Sequence, residues 1–116
     1  MGKEGIMKDM KLLGDLGEGL AVAVLYSQGY TILERNFRCR VGEVDVICRK
    51  DGELDFVEVK ARTSLDMGRP AAAVNRRKQM RLRNAAKYYI MCNGLEGLDV
   101  RFQVFEVLVN QIENAF

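Results

Sequence analysis

Residues 42–47 (Gly-Glu-Val-Asp-Val-Ile) and 54–60 (Leu-Asp-Phe-Val-Glu-Val-Lys) alternate β-branched or aromatic residues with polar ones, and Asp51-Gly52 lies between them. The period near two predicts two strands, and Asp-Gly is a strong hairpin turn, so this region is constrained to an antiparallel pair. Residues i and i+2 of a strand share a face, which puts Glu58 with Lys60 and leaves the other face to Val57 and Val59. By the same rule Glu43 and Asp45 share one face of the earlier strand, and Val44 and Val46 take the other. Aspartate is depleted in strand interiors, so Asp45 needs a reason for its place. Two carboxylates and a lysine on adjacent strands suit a divalent cation with a point charge beside it. A solvent-facing salt-bridge pattern would look the same from one strand alone.

The flanking pattern predicts the remaining elements. From about Asp9 to Gln28, Leu13, Leu16, Leu20, Val24 and Leu25 recur with Gly17 and Ala21 at helical spacing, and Gly29 is a natural stop. Gly14, Gly17 and Gly19 each weaken such a helix by about 1 kcal/mol relative to alanine, which close approach of a neighbour would explain. Tyr30–Cys39 reads as a strand before the hairpin, giving an antiparallel meander over 30–61. Pro70 suits the first turn of a second helix running to about Met91, closed by Asn93-Gly94, and Val100–Val109 reads as a last strand. The order is α-β-β-β-α-β, an α/β domain. Residues 1–8 read as a loose tail and 9–116 as a single domain.

Composition mainly excludes. The chain of 116 residues contains no histidine, which removes histidine-based triads, histidine general bases and histidine-ligated zinc. Cys39, Cys48 and Cys92 form no CxxC pair and leave an odd count, so they read as buried free thiols. No apolar run is long enough to span a bilayer and no secretory leader is visible, which reads as a cytoplasmic protein. The net charge of +2 is small but unevenly spread. No acidic residue lies between Asp66 and Glu96, where Arg69, Arg76, Arg77, Lys78, Arg81, Arg83 and Lys87 all fall. Arg35, Arg38 and Arg40 form a second cluster, and segregated basic patches point to a polyanionic partner or to a solvated basic face.

Two side chains stand out on the helices. On the second, Val74, Leu82, Ala85 and Tyr89 line one stripe with Lys78 in its middle, while Arg76, Arg83 and Lys87 gather opposite. A lysine there needs a carboxylate, a phosphate or a snorkelling exit. On the first helix, Glu18 sits at the margin of the apolar stripe. Mg²⁺ would suit the strand carboxylates, because it binds one or two of them, keeps waters and takes phosphate oxygens.

Gly17-Glu18-x-x-Ala21, Gly29-Tyr30-x-Ile32-Leu33-x-Arg35-Asn36, Gly42-Glu43-Val44-Asp45, Phe56-Val57-Glu58-Val59-Lys60-x-Arg62 and Lys78-x-x-x-Leu82 occur in order across almost the whole chain. Together they closely resemble the YraN-like (UPF0102) family of small bacterial proteins, which is similar to Holliday junction resolvases among the PD-(D/E)XK, restriction-endonuclease-like folds. The resemblance implies a central mixed sheet flanked by helices and a nuclease site using Mg²⁺ or Mn²⁺. Asp45 and Glu58 match the metal-binding acids, Lys60 the motif lysine, Glu18 the helical glutamate, and Lys78 the polar residue of the following helix. Gln103 stands where the family usually has aspartate, and no proline precedes Asp45.

The expected activity is metal-dependent hydrolysis of phosphodiester bonds in structured, branched DNA. Asp45, Glu58, the Val59 carbonyl and Glu18 would hold the metal, with Lys60 and Lys78 at the water and the phosphate. Arg35, Arg38, Arg40, Arg62, Arg76, Arg77, Arg81, Arg83 and Lys87 would bind flanking backbone. A homodimer is expected by analogy. The alternatives are a non-catalytic nucleic-acid-binding module acting with a partner protein, and an adaptor whose basic helix meets an acidic protein.

Overall fold

A computed structural model describes residues 3–63 and 75–116. The elements are α1 (Lys3–Ser27), β1 (Thr31–Cys39), β2 (Gly42–Lys50), β3 (Glu53–Thr63), α2 (Arg76–Asn93) and β4 (Asp99–Val109). The strands form one mixed sheet in the order β1-β2-β3-β4. The first three are antiparallel and β4 runs parallel to β3. The expected α/β order is therefore observed.

Local chemistry explains the breaks. Gly29 adopts φ +96° after α1, and the Tyr30 N–H reaches back to the Leu25 carbonyl at 3.1 Å, a glycine-closed helix end. Asp51 takes φ +53° in the β2–β3 hairpin, as an Asp-Gly turn requires. Asn75 caps α2, its side chain accepting from the Lys78 N–H at 2.8 Å, and Gly94 closes the helix at φ +61°. α1 extends back to Lys3, earlier than the helix expected from about Asp9, and Asn75 caps α2, which begins at Arg76. Pro70 at a helix start, Val74 on the apolar stripe, Arg69, and the loop after Thr63 lie outside the described residues.

The helices cover opposite faces of the sheet. Leu82, Ala85, Ala86 and Tyr89 of α2 pack on Val44, Ile47, Leu54 and Phe56. Leu25 and Val22 of α1 pack on Val46, Cys48, Val57 and Val59. Val44 and Val46, expected on one face, thus serve different cores. The pleat is broken beside Asp45, where Asn36 of β1 adopts φ +52° between the pairs Arg35↔Val46 and Phe37↔Val44. Asparagine tolerates this left-handed backbone better than most residues.

Gly17 has the close neighbour expected of it: a Cβ there would stand 2.7 Å from the Ala61 Cβ of β3. Gly14 and Gly19 face open space, so close approach does not explain them. All three cysteines are free, but only Cys48 is buried; Cys39 is half-buried and Cys92 exposed. Among the described residues no helix is long and apolar enough to cross a membrane.

Candidate active site

The sheet forks where the acidic residues lie. β2 pairs with β3 from Lys50↔Glu53 as far as Val46↔Val57 and no further. Beyond that point β2 stays with β1 to Cys39↔Gly42, and β3 continues with β4 to Thr63↔Val109. An unbroken antiparallel ladder would next give the Val59 N–H a backbone carbonyl of β2. It is instead taken by Asp45 Oδ2 at 2.7 Å. The N–H and C=O of one residue in a strand point to the same side, so the Val59 carbonyl also faces this gap. Asp45 therefore closes the fork with its side chain and brings a carboxylate beside a strand carbonyl.

α2 roofs the fork. A Cβ on Gly42 would lie 2.0 Å from the Arg81 carbonyl oxygen, so β2 and α2 meet backbone to backbone. Lys78, one turn earlier, reaches down to the sheet. Its Nζ donates to Glu58 Oε1 at 2.9 Å, and Lys60 Nζ lies 3.8 Å from the same oxygen. Glu58 is buried at 9% exposure, yet both cations that meet it keep one side open to solvent.

This crowding separates the titrations. Burial pushes the Asp45 carboxyl up to about 6; the Val59 N–H opposes this, and the charges of Glu58 and Glu18 reinforce it. Contact with the Lys78 ammonium, then burial, lowers Lys60, against the attraction of Glu58 and Asp45. Burial also works against the charge on Lys78, but its contacts with Lys60 and Glu58 outweigh this and hold its pKa above the ordinary lysine value. Of two adjacent lysines, one stays a firm cation and the other gives up its proton more readily.

Glu18, buried on α1, has its Oε1 held by Asn36 Nδ2 at 3.0 Å and Arg35 Nε at 3.4 Å. It acts on Asp45 by charge, and among the described residues no three acidic or cysteine side chains gather as a ready metal cage. The remaining cations separate by partner. Arg62 pairs with Glu106 at 2.7 Å, Arg38 lies 3.9 Å from Glu43, and Arg83 stacks over Phe102 at 5.1 Å. Arg40, Arg76, Arg77, Arg81 and Lys87 are exposed.

Sequence reasoning quoted Asn36 and Gly42 only within motifs and gave them no role, because their importance depends on neighbours distant in the chain. It passed over Asp55. Asp55 shares the inner face of β3 with Val57 and is fully buried. Its Oδ2 accepts from Gln103 Nε2 and lies 3.4 Å from the Tyr30 hydroxyl, which is 3.1 Å from Glu53 Oε2. Burial, then contact with Glu53, raise the Asp55 carboxyl above its ordinary value, while contact with Asp55 lowers Glu53. An aspartate in phase with core valines was the available signal. This cluster lies across the sheet from Glu58 and ties β3 to β4.

The model of the "Uncharacterised protein family UPF0102" matches residues 17–107, spanning every element that builds the fork. The chain belongs to the UPF0102 family. A UPF0102 protein of Clostridium acetobutylicum is 46% identical over 115 residues, covering 91% of this chain and 94% of that protein. One from Clostridioides difficile is 42% identical, covering 89% and 95%, and one from Moorella thermoacetica 43%, covering 88% and 85%. These family members are thus similar to this chain over most of their lengths.

Proposed function

We propose that the chain is a divalent-metal-dependent endonuclease that hydrolyses phosphodiester bonds of structured DNA. The observation that carries this reading is the fork, which gathers Asp45, Glu58, the Val59 carbonyl, Lys60 and Lys78 at one point. The donor set fits Mg²⁺ or Mn²⁺: hard oxygen ligands, two of them carboxylates, for an ion that keeps waters and takes phosphate oxygens. Asp45 favours such an ion for a further reason, since its carboxylate is destabilised when no cation balances it. When bound, the ion would acidify a water and screen charge growing on the phosphate.

The chain's own groups would do the rest. Asp45 and Glu58, with the Val59 carbonyl, fix where the phosphate meets its nucleophile. Lys60, whose pKa is lowered by its neighbours, orients the attacking water and, in its deprotonated form, can take that water's proton. Lys78 stays cationic and holds a non-bridging phosphate oxygen. Glu18 keeps the negative field around Asp45. The first turn of α2 carries Arg76, Arg77 and Lys78 and no acidic residue. Three cations at a helix N-terminus are unfavourable by themselves, and phosphate groups would offset them.

Cleavage of labelled linear, flapped and four-way DNA with Mg²⁺ or Mn²⁺ tests the reading. Cutting should require metal and be lost in Asp45→Ala and Lys60→Ala; metal-dependent cutting that survives both removes the assignment. One observation favours the runner-up, a binding module without turnover: Lys60 and Lys78 already neutralise Glu58 without a metal. Salt-sensitive DNA binding with no carboxylate-dependent metal uptake would select that module.

A further inference from the structure

We propose that Asn36 is a positioning residue of the candidate active site, placing Asp45 through its backbone and Glu18 through its side-chain amide. Under the metal-dependent reading on which this rests, Asn36 touches neither the ion nor the phosphate and acts through two carboxylates. Asn36 stands between the pairs Arg35↔Val46 and Phe37↔Val44, so it lies opposite Asp45. Its φ of +52° falls in the left-handed region. Beside this kink β2 slips out of phase. Val46 faces the α1 core, and Val44, two residues away, faces the α2 core. In a regular strand two such residues share a face and the one between them points to the other. Asp45 falls at the slip, and its carboxylate crosses the fork to the Val59 N–H at 2.7 Å.

The kink acts on β1 in the same way. Neighbours in a strand point to opposite faces, yet Arg35 and Asn36 both donate to Glu18 Oε1, at 3.4 and 3.0 Å. Glu18 belongs to α1, which covers one face of the sheet only. The left-handed turn is what brings the asparagine amide to that face. Glycine would fit a left-handed position at least as well, so the backbone alone does not account for an asparagine here.

The two donors differ in chemistry. Arg35 is a cation, but its side chain is 49% exposed and its contact is the longer one. The Asn36 amide is neutral and sits on a short side chain whose base the backbone fixes. It therefore holds the buried Glu18 carboxylate without cancelling its charge, in contrast with Glu58, which meets two lysines. Among the described residues both hydrogen bonds to Glu18 fall on Oε1, which leaves Oε2 to accept from water. A divalent ion held by Asp45 and Glu58 keeps some of its own waters. A fixed and still charged carboxylate beside those waters orients them and tightens the ion.

Binding of Mn²⁺ alone, followed by loss of the free ion's paramagnetic resonance signal, tests this without turnover. Asn36→Gly keeps the left-handed backbone and removes the amide. It should retain the wild-type circular dichroism and urea midpoint while weakening Mn²⁺ about tenfold, the scale on which residues that orient metal ligands act. In the Glu18→Ala background Asn36→Gly should weaken Mn²⁺ no further, because the amide acts through that carboxylate. Asn36→Ala disturbs the backbone as well, so it should weaken Mn²⁺ beyond Asn36→Gly, and should do so in the Glu18→Ala background too. Uptake that Asp45→Ala abolishes and Asn36→Gly leaves unchanged overturns this proposal and spares the endonuclease reading. An equal loss from Asn36→Gly with and without Glu18 gives the asparagine a merely structural role and overturns it likewise. Uptake that is absent from the wild type, or indifferent to Asp45→Ala, removes the endonuclease reading and this proposal with it.

Discussion

At the residue scale, the site is destabilised by its own chemistry, and Asp45 shows how. Its folded pKa, near 6, lies above the ordinary carboxylate range, so the folded chain binds a proton more tightly than the unfolded one. A raised acid pKa means stability is highest below the unfolded value and falls as pH rises from about 4 to about 6. Above that window the ionised carboxylate is a net cost. The side chain is part-exposed, so screening reduces the cost to about 1–1.5 kcal/mol, roughly half of what the full shift converts to. Asp45→Asn keeps an acceptor for the Val59 N–H and removes the charge. In chelator at pH 7.5 its melting temperature should therefore exceed the wild type's by a few degrees, with the gap closing near pH 4. Mn²⁺ should raise the wild type and leave the variant unmoved. An equal melting temperature at both pH values would show that Asp45 is not strained.

At the element scale, β2 owes its course to Gly42. A methyl group there meets the Arg81 carbonyl, a backbone atom that cannot swing aside. Gly42→Ala should cost about 3 kcal/mol in urea unfolding and lift α2 away from Glu58, whereas Gly14→Ala and Gly19→Ala, facing open space, should each gain up to about 1 kcal/mol. Equal effects at the three glycines would remove the close approach as the explanation. The contrast marks what was legible in the sequence. Period-two alternation correctly put Glu58 and Lys60 on one face, because β3 stays paired along its whole length. The Asp51-Gly52 turn is local, and so was readable. Val44 and Val46 were misassigned because the fork depends on Asp45 meeting the Val59 N–H, 14 residues away. Gly42 entered only as the glycine of a motif, and nothing near it in sequence announces Arg81. Lys78 could be singled out by its apolar stripe, yet its partner Glu58 lies 20 residues off and on another element.

At the scale of the whole molecule, charge is distributed by face more than by amount. The face roofed by α2 holds the fork and the exposed Arg76, Arg77, Arg81 and Lys87, and the net charge of +2 conceals this concentration. The nine basic residues expected at a nucleic-acid surface therefore should not contribute alike. Arg35 and Arg62 are engaged by Glu18 and Glu106, and moving them to a phosphate would leave those carboxylates unbalanced. Each exposed arginine that meets a phosphate should steepen the fall of log K with log salt by about 0.9. Arg77→Ala should accordingly flatten that slope by about one unit and weaken binding to all sequences alike. Arg62→Ala should leave the slope nearly unchanged, although it removes an ion pair between β3 and β4. Fluorescence anisotropy on a four-way DNA between 50 and about 200 mM salt measures both slopes. Equal slopes for wild type and Arg77→Ala would place the DNA elsewhere than over α2.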